Sequence, residues 1–238
     1  MKLVGERRAL AAAVMAFYFL YYGVAALVLG QPELTKALAA LSGVYGLAFF
    51  ALVAGYFWAR WYSVGVGLFG IIMAAAGMWQ LGAEPVLLFI GGTHLAATLL
   101  LWGHTMSQPY DGQTAWRERF HMDDHAVQRL GRSVIRAGVS LPFVLLYALA
   151  PREPASLLAA FAALALAGLG LRALIQLKTW GVMAIATAGT LMLSLAVSDA
   201  ATAGLTTSIM KPAIAGVLLI AAAIPFLAPM IRWVRAAR

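Results

Sequence analysis

Four histidines, His94, His104, His121 and His125, hold most of the chemical capacity of this 238-residue chain. His121 and His125 are four residues apart, so on a helix both imidazoles project from one side, and Asp124 stands three residues beyond His121. With His104 supplied from another element, the set His104, His121, Asp124 and His125 offers nitrogen and oxygen ligands for a divalent metal such as zinc, iron or manganese. The opposing reading is a solvated helix face on which Arg119 and Asp123 form an ordinary i, i+4 ion pair. The pair lacks the glutamate of a complete HExxH signature, which leaves metal binding an expectation carried by spacing alone. There is no cysteine, which excludes thiolate nucleophiles, disulfides, Cys-ligated zinc and iron–sulfur clusters.

His94 has a different setting, midway along an apolar run and directly after Gly91, Gly92 and Thr93. An ionisable residue at membrane depth is a functional candidate by default, as a proton-relay, quinone or haem contact. The competing expectation is an imidazole hydrogen-bonded to a neighbouring helix. A bis-histidine haem needs a second histidine at the same depth, and the sequence has none. Neither reading fixes the identity of a cofactor.

The elements that position these residues follow from composition. The chain is 63% hydrophobic and 11% charged, where soluble proteins carry about a quarter charged residues. A water-soluble exterior cannot be built from it, so the solvent is lipid and the fold class is an all-α polytopic membrane protein. About 20 apolar residues cross a bilayer, and eight segments approach or reach that length: 9–29, 37–58, 62–79, 86–102, 134–149, 155–171, 180–197 and 214–233. The first is too long for a cleaved signal sequence. The fifth is the weakest, being short, with Pro142 inside and Arg136 one turn in.

Placing the loops alternately on two sides puts every lysine and arginine on the N-terminal side except Lys36, Arg152 and Lys211. That asymmetry predicts an even number of spans with both termini cytoplasmic, in a plasma membrane of the bacterial inner-membrane kind. It also accounts for the net charge of +8 without nucleic acid as a partner. Trp58, Trp61, Trp102, Trp180 and Trp233 fall at predicted inner ends and Trp79 at an outer one, as interfacial belts require.

The one sizeable connection divides the chain into a first four-helix half (1–106), a cytoplasmic segment (107–132) and a second four-helix half (133–238). Within the segment, Thr114 reads as an N-cap and Gly131 as a stop, with Trp116, Phe120, Val127 and Leu130 on one face of a helix lying on the membrane surface. Between the halves there is a short echo, Arg60-Trp61-Tyr62-Ser63-Val64 against Lys178-Thr179-Trp180-Gly181-Val182. A true repeat of four spans would relate the halves by an axis along the membrane normal.

Other signals concern packing. Ala155, Ala159, Ala163 and Ala167 form a small-residue stripe, and Gly70 with Ala74 a shorter one, of the kind that draws membrane helices together. Thr187, Thr190, Ser194 and Ser198 make a hydroxyl stripe, and Tyr18, Tyr21 and Tyr22 cluster in the first span. Both groups read either as the lining of a route for a neutral or amphipathic substrate or as groups bonded to their own backbone. Asp111-Gly112-Gln113-Thr114-Ala115 followed by Arg117 is similar to a fragment of the CDP-alcohol phosphatidyltransferase signature. The preceding aspartate is missing, Trp116 takes the arginine position, and Asp123 and Asp124 are misplaced, so the fragment does not extend to the family's metal site.

No Asp, Glu or Lys falls in the middle of a predicted span, which weakens ion-coupled transport. Three function classes remain, in this order: a non-catalytic scaffold or subunit of a larger membrane complex, with protein partner subunits or further copies of itself; a permease for a small neutral or lipid-like substrate; and a metal-dependent membrane enzyme with a cytoplasmic-face His/Asp site.

Overall fold

The structure is a computed structural model that describes residues 4–107, 118, 123–204 and 209–236. Its regular elements among these residues are eight α-helices and one 3₁₀ turn, with no strand: α1 Val4–Val28, α2 Pro32–Ala54, α3 Ala59–Leu81, α4 Pro85–Leu101, the turn His104–Ser107, α5 Asp124–Leu149, α6 Pro154–Ile175, α7 Trp180–Ala203 and α8 Met210–Ala236. Six of the helices are long and apolar enough to cross a membrane, and Pro85–Leu101 and Met210–Phe226 are shorter apolar helices. This is the architecture of a multi-pass helical membrane protein.

The local chemistry explains where the helices begin. α2, α4 and α6 each open on a proline, Pro32, Pro85 and Pro154, preceded by an extended residue, Gln31, Glu84 or Glu153. Proline has no amide hydrogen to leave orphaned in a first turn, and its fixed φ already suits a helix. The α2–α3 turn closes on Gly55 in the left-handed conformation, with the amides of Gly55 and Tyr56 bonded to the carbonyls of Leu52 and Ala51. The α6–α7 turn repeats this cap with Leu177 at positive φ and Lys178 bonded to Ala173. Superposing these two caps sets Tyr56 against Lys178, so the sequence echo that pairs Arg60 with Lys178 is one helical turn out of register with the structural equivalence.

Two compact units divide the chain, Met1–Asp123 and Asp124–Arg238. In the first, α1 packs on α2 and α4, and α3 packs on α2 and α4, a closed ring of four helices. In the second, α5 packs on α6 and α8, and α7 on α6 and α8, in the same cyclic order.

Three expectations require correction. Gly131 does not stop a helix: α5 runs unbroken from Asp124 through Gly131 and Pro142 to Leu149. Val127, Leu130 and Val134 form its buried face, so Val127 and Leu130 are covered by protein rather than lying on a membrane surface. Packing of that face outweighs the cost of about 1 kcal/mol that a helical glycine carries. Thr114, Trp116 and Phe120 lie outside the described residues. Trp61 is not an interfacial residue either, since it is buried with its ring edge-on to Phe57, whereas Trp79, Trp102 and Trp180 are exposed.

Glycines set the closest approaches in the second unit. A Cβ on Gly181 would lie 2.6 Å from the amide nitrogen of Leu174, and one on Gly216 would lie 2.9 Å from the carbonyl of Gly189. α7 therefore meets α6 and α8 backbone to backbone, as small residues allow in lipid. The buried half of the alanine stripe, Ala163 and Ala167, belongs to this packing, while Ala155 is exposed.

Candidate functional site

A buried polar assembly lies in the first unit, around His94 on α4. The ring of His94 is fully buried. Its Nδ1 lies 2.7 Å from the carbonyl of Ile90 and its Nε2 lies 2.6 Å from the hydroxyl of Tyr45 on α2. A carbonyl only accepts, so Nδ1 carries the hydrogen of the neutral ring and Nε2 accepts from the Tyr45 O–H. Thr93 donates to the carbonyl of Phe89 at 2.8 Å or of Ile90 at 3.1 Å. Its one hydrogen being committed there, the hydroxyl of Tyr18 on α1 donates to Thr93 Oγ1 at 2.7 Å.

Aromatic packing encloses the imidazole. The Tyr18 ring lies 4.2 Å from it and the Tyr45 ring 5.6 Å, centroid to centroid, and Tyr22 lies 5.4 Å from Tyr45. On the remaining side stands α3. A Cβ on Gly70 would fall 2.0 Å from Cδ2 of His94, so the ring occupies the space that any larger residue at Gly70 would fill. Of the tyrosine cluster in α1, Tyr18 is buried against this site, whereas Tyr21 is exposed.

The network is closed in its direction. Every donor chain ends on a main-chain carbonyl, Ile90 or Phe89, and a carbonyl cannot pass a proton on. The Nε2 lone pair, the only basic site of the neutral ring, is held by Tyr45. A haem iron or quinone contact at that nitrogen would have to displace the Tyr45 hydroxyl first.

Arginines at one end of this unit act on the main chain. Arg7 donates to the carbonyls of Leu99 and Trp102 at 3.1 and 2.7 Å, Arg8 to Leu52 and Val53, and Arg60 to Leu101 at 2.9 Å. These acceptors are carbonyls of the last turns and cap of α2 and α4, where helical amides run out; Leu52 and Leu99 also accept from the capping amides of Gly55 and Trp102. Positive charge there also suits the negative end of the helix dipole.

In the second unit, Arg136 Nη1 donates to the carbonyl of Ala221 at 2.6 Å. At the other end of α5, Tyr147 donates to Asp199 Oδ2 of α7 at 2.8 Å, and the Arg152 guanidinium lies 3.6 Å over the Tyr147 ring while donating to the Tyr147 carbonyl. This pins α5 to α7, helices that lie across the ring from each other. The hydroxyl stripe faces outward: Thr187, Thr190, Ser194 and Ser198 are all exposed. Thr190 and Ser194 bond back to the carbonyls of Ala186 and Thr190, and the stripe lines no interior of its unit.

The proposed metal ligands are spread over different elements. His104 begins the 3₁₀ turn, Asp124 opens α5, and His125 is exposed in the first turn of α5. His121 lies outside the described residues. Among the described residues, no three His, Asp or Glu side chains gather closely enough to hold a metal ion.

Sequence reasoning found His94 but missed Tyr45, the arginine caps and the Tyr147–Asp199 pair. Tyr45 shares a face of α2 with Ser42, and Ser42 bonds across to the carbonyl of Phe19 on α1. That i, i+3 pair of polar groups was the available signal. Comparison with protein-family models, with curated proteins and with solved structures returns no match.

Proposed function

We propose that the chain is a non-catalytic subunit or scaffold of a larger membrane assembly, embedded in a plasma membrane of the bacterial inner-membrane type with both termini cytoplasmic. The observation that carries this reading is the use made of reactive side chains. Arg7, Arg8, Arg60, Arg136 and Arg152 all bond main-chain carbonyls of their own unit, and His94 has both ring nitrogens engaged. Side chains that elsewhere bind substrate or move protons here hold helices together. The outward hydroxyl stripe of α7 gives a permease no interior route within its unit, which favours the subunit reading over transport.

The partner is a protein: other subunits or further copies of this chain. Gentle extraction into lipid nanodiscs, cross-linking and native mass spectrometry test it. A stoichiometric partner or a defined homo-oligomer is expected, and a lone monomer in every preparation overturns the reading.

A further inference from the structure

One face of α3 and one face of α4 meet along a seam whose two ends differ in chemistry. On α3 the face is Arg60, Ser63, Gly67, Gly70, Ala74 and Gly77, spaced alternately by three and four residues. On α4 it returns antiparallel as Leu101, Thr98, His94, Gly91 and Leu87. Contacts fix the register. Arg60 bonds the Leu101 carbonyl, a Cβ on Gly67 would fall 2.3 Å from Thr98 Oγ1, Gly70 faces His94, and Gly91 and Gly77 face Ala74 and Leu87. From Arg60 to His94 the seam is polar, and beyond His94 it is apolar.

Ser63 and Thr98 stand in the polar half, 0% and 4% exposed, and neither hydroxyl has a hydrogen-bond partner. An unpaired buried hydroxyl costs about 1–3 kcal/mol. Two of them, on facing helices between a guanidinium and an imidazole, mark a place for a small hydrogen-bonding ligand. Buried water is the usual occupant of such positions, making about three hydrogen bonds to polar groups that lack partners.

We propose that the α3–α4 seam binds a short file of water at Ser63 and Thr98, entered from the Arg60 end and closed at the other by the Ala74–Gly91 and Gly77–Leu87 contacts. Thr98 is four residues from His94, about 6 Å along the helix. The file therefore brings the aqueous phase within one turn of the buried imidazole from a single side of the membrane. It extends the scaffold reading without resting on it, because no partner is involved.

Solid-state NMR with water-to-protein magnetisation transfer tests this in bilayers, on the full chain labelled with 15N-histidine. Replacing His104, His121 and His125 together by Asn leaves His94 as the single label, and the unmodified chain supplies the exposed His125 as reference. The His94 signal should grow from water within about threefold of the reference rate, and Thr98→Val with Ser63→Ala should slow it by about threefold or more. Thr187→Val, on the outer face of α7, should leave it unchanged. Absence of transfer to His94 in the unmodified seam overturns the proposal. So does a build-up unaffected by Thr98→Val and Ser63→Ala, which would place both hydroxyls on the carbonyls of their own helix. Thr98→Val preserves side-chain shape and carries the test alone if the double variant does not fold.

Discussion

Arg136 on α5 serves a carbonyl that Pro225 on α8 leaves without an amide. Helical hydrogen bonds run from residue i to i−4, so Pro225, having no N–H, orphans the carbonyl of Ala221. The Arg136 guanidinium supplies the missing donor at 2.6 Å. α8 continues as one helix through Pro225 and Pro229, as membrane helices do when a neighbour re-satisfies the freed group.

The two residues should therefore be coupled. Arg136→Gln is expected to cost about 1.5–3 kcal/mol, the worth of a hydrogen bond to a charged group. In a Pro225→Ala background, where Ala221 regains its helical amide, the same substitution should cost measurably less. Unfolding in mixed micelles, arranged as a double-mutant cycle, reads the difference. Additive effects would show that Arg136 acts elsewhere.

At Gly70, substitution by alanine meets the His94 ring directly, since the new Cβ would lie 2.0 Å from Cδ2. Gly70→Ala should destabilise the first unit by about 1–3 kcal/mol through overpacking. Gly92→Ala adds the same methyl where nothing lies within 4 Å, and should stay within about 0.5 kcal/mol of the parent. Thermal unfolding of the two variants side by side checks the pair, and equal effects would contradict the placement of His94.

Tyr45→Phe removes the donor to Nε2 and leaves a fully buried ring nitrogen unsatisfied. The expected cost is about 1–3 kcal/mol. The 15N spectrum of His94 in the parent chain should show a neutral ring protonated at Nδ1, as the Ile90 carbonyl requires. A ring protonated at Nε2 would reverse the assigned direction of the Tyr45 bond.

Topology can be read chemically because the chain has no native cysteine. Single cysteines at the exposed loop residues Glu84 and Glu153 should label from outside the cell, and one at Lys178 from the cytoplasmic side. Labelling of Glu84→Cys and Glu153→Cys from opposite faces would mean that one of α4 and α5 does not cross.

How much of this was legible beforehand differs by residue. His94 declared itself, because an imidazole within an apolar run stands out without any tertiary information. Its partners did not, since Tyr45 and Gly70 reach it only through the register between helices, which a single sequence does not encode locally. The Gly70–Ala74 pair was visible as a packing signal, but not as the wall facing His94. α5 shows the opposite failure. Gly131 and Pro142 read as a stop and a weakness, yet the helix passes both, because the burial of Val127, Leu130 and Val134 overrides local propensity. Asp124 and His125 begin that same helix, and spacing alone did not say that His104 belongs to a different unit.

The arginine caps of the first unit have a consequence for the order in which it is made. Arg7 and Arg8 are synthesised well before their acceptors: Leu52 follows Arg8 by 44 residues and Trp102 follows Arg7 by 95. α1 is thus fastened in two steps, by Arg8 once α2 is made and by Arg7 only once α4 is made. Until α4 has entered the bilayer, α1 lacks both its aromatic neighbour at His94 and its Arg7 contacts, so a chain arrested after α3 presents a half-fastened α1 to the insertion and quality-control machinery.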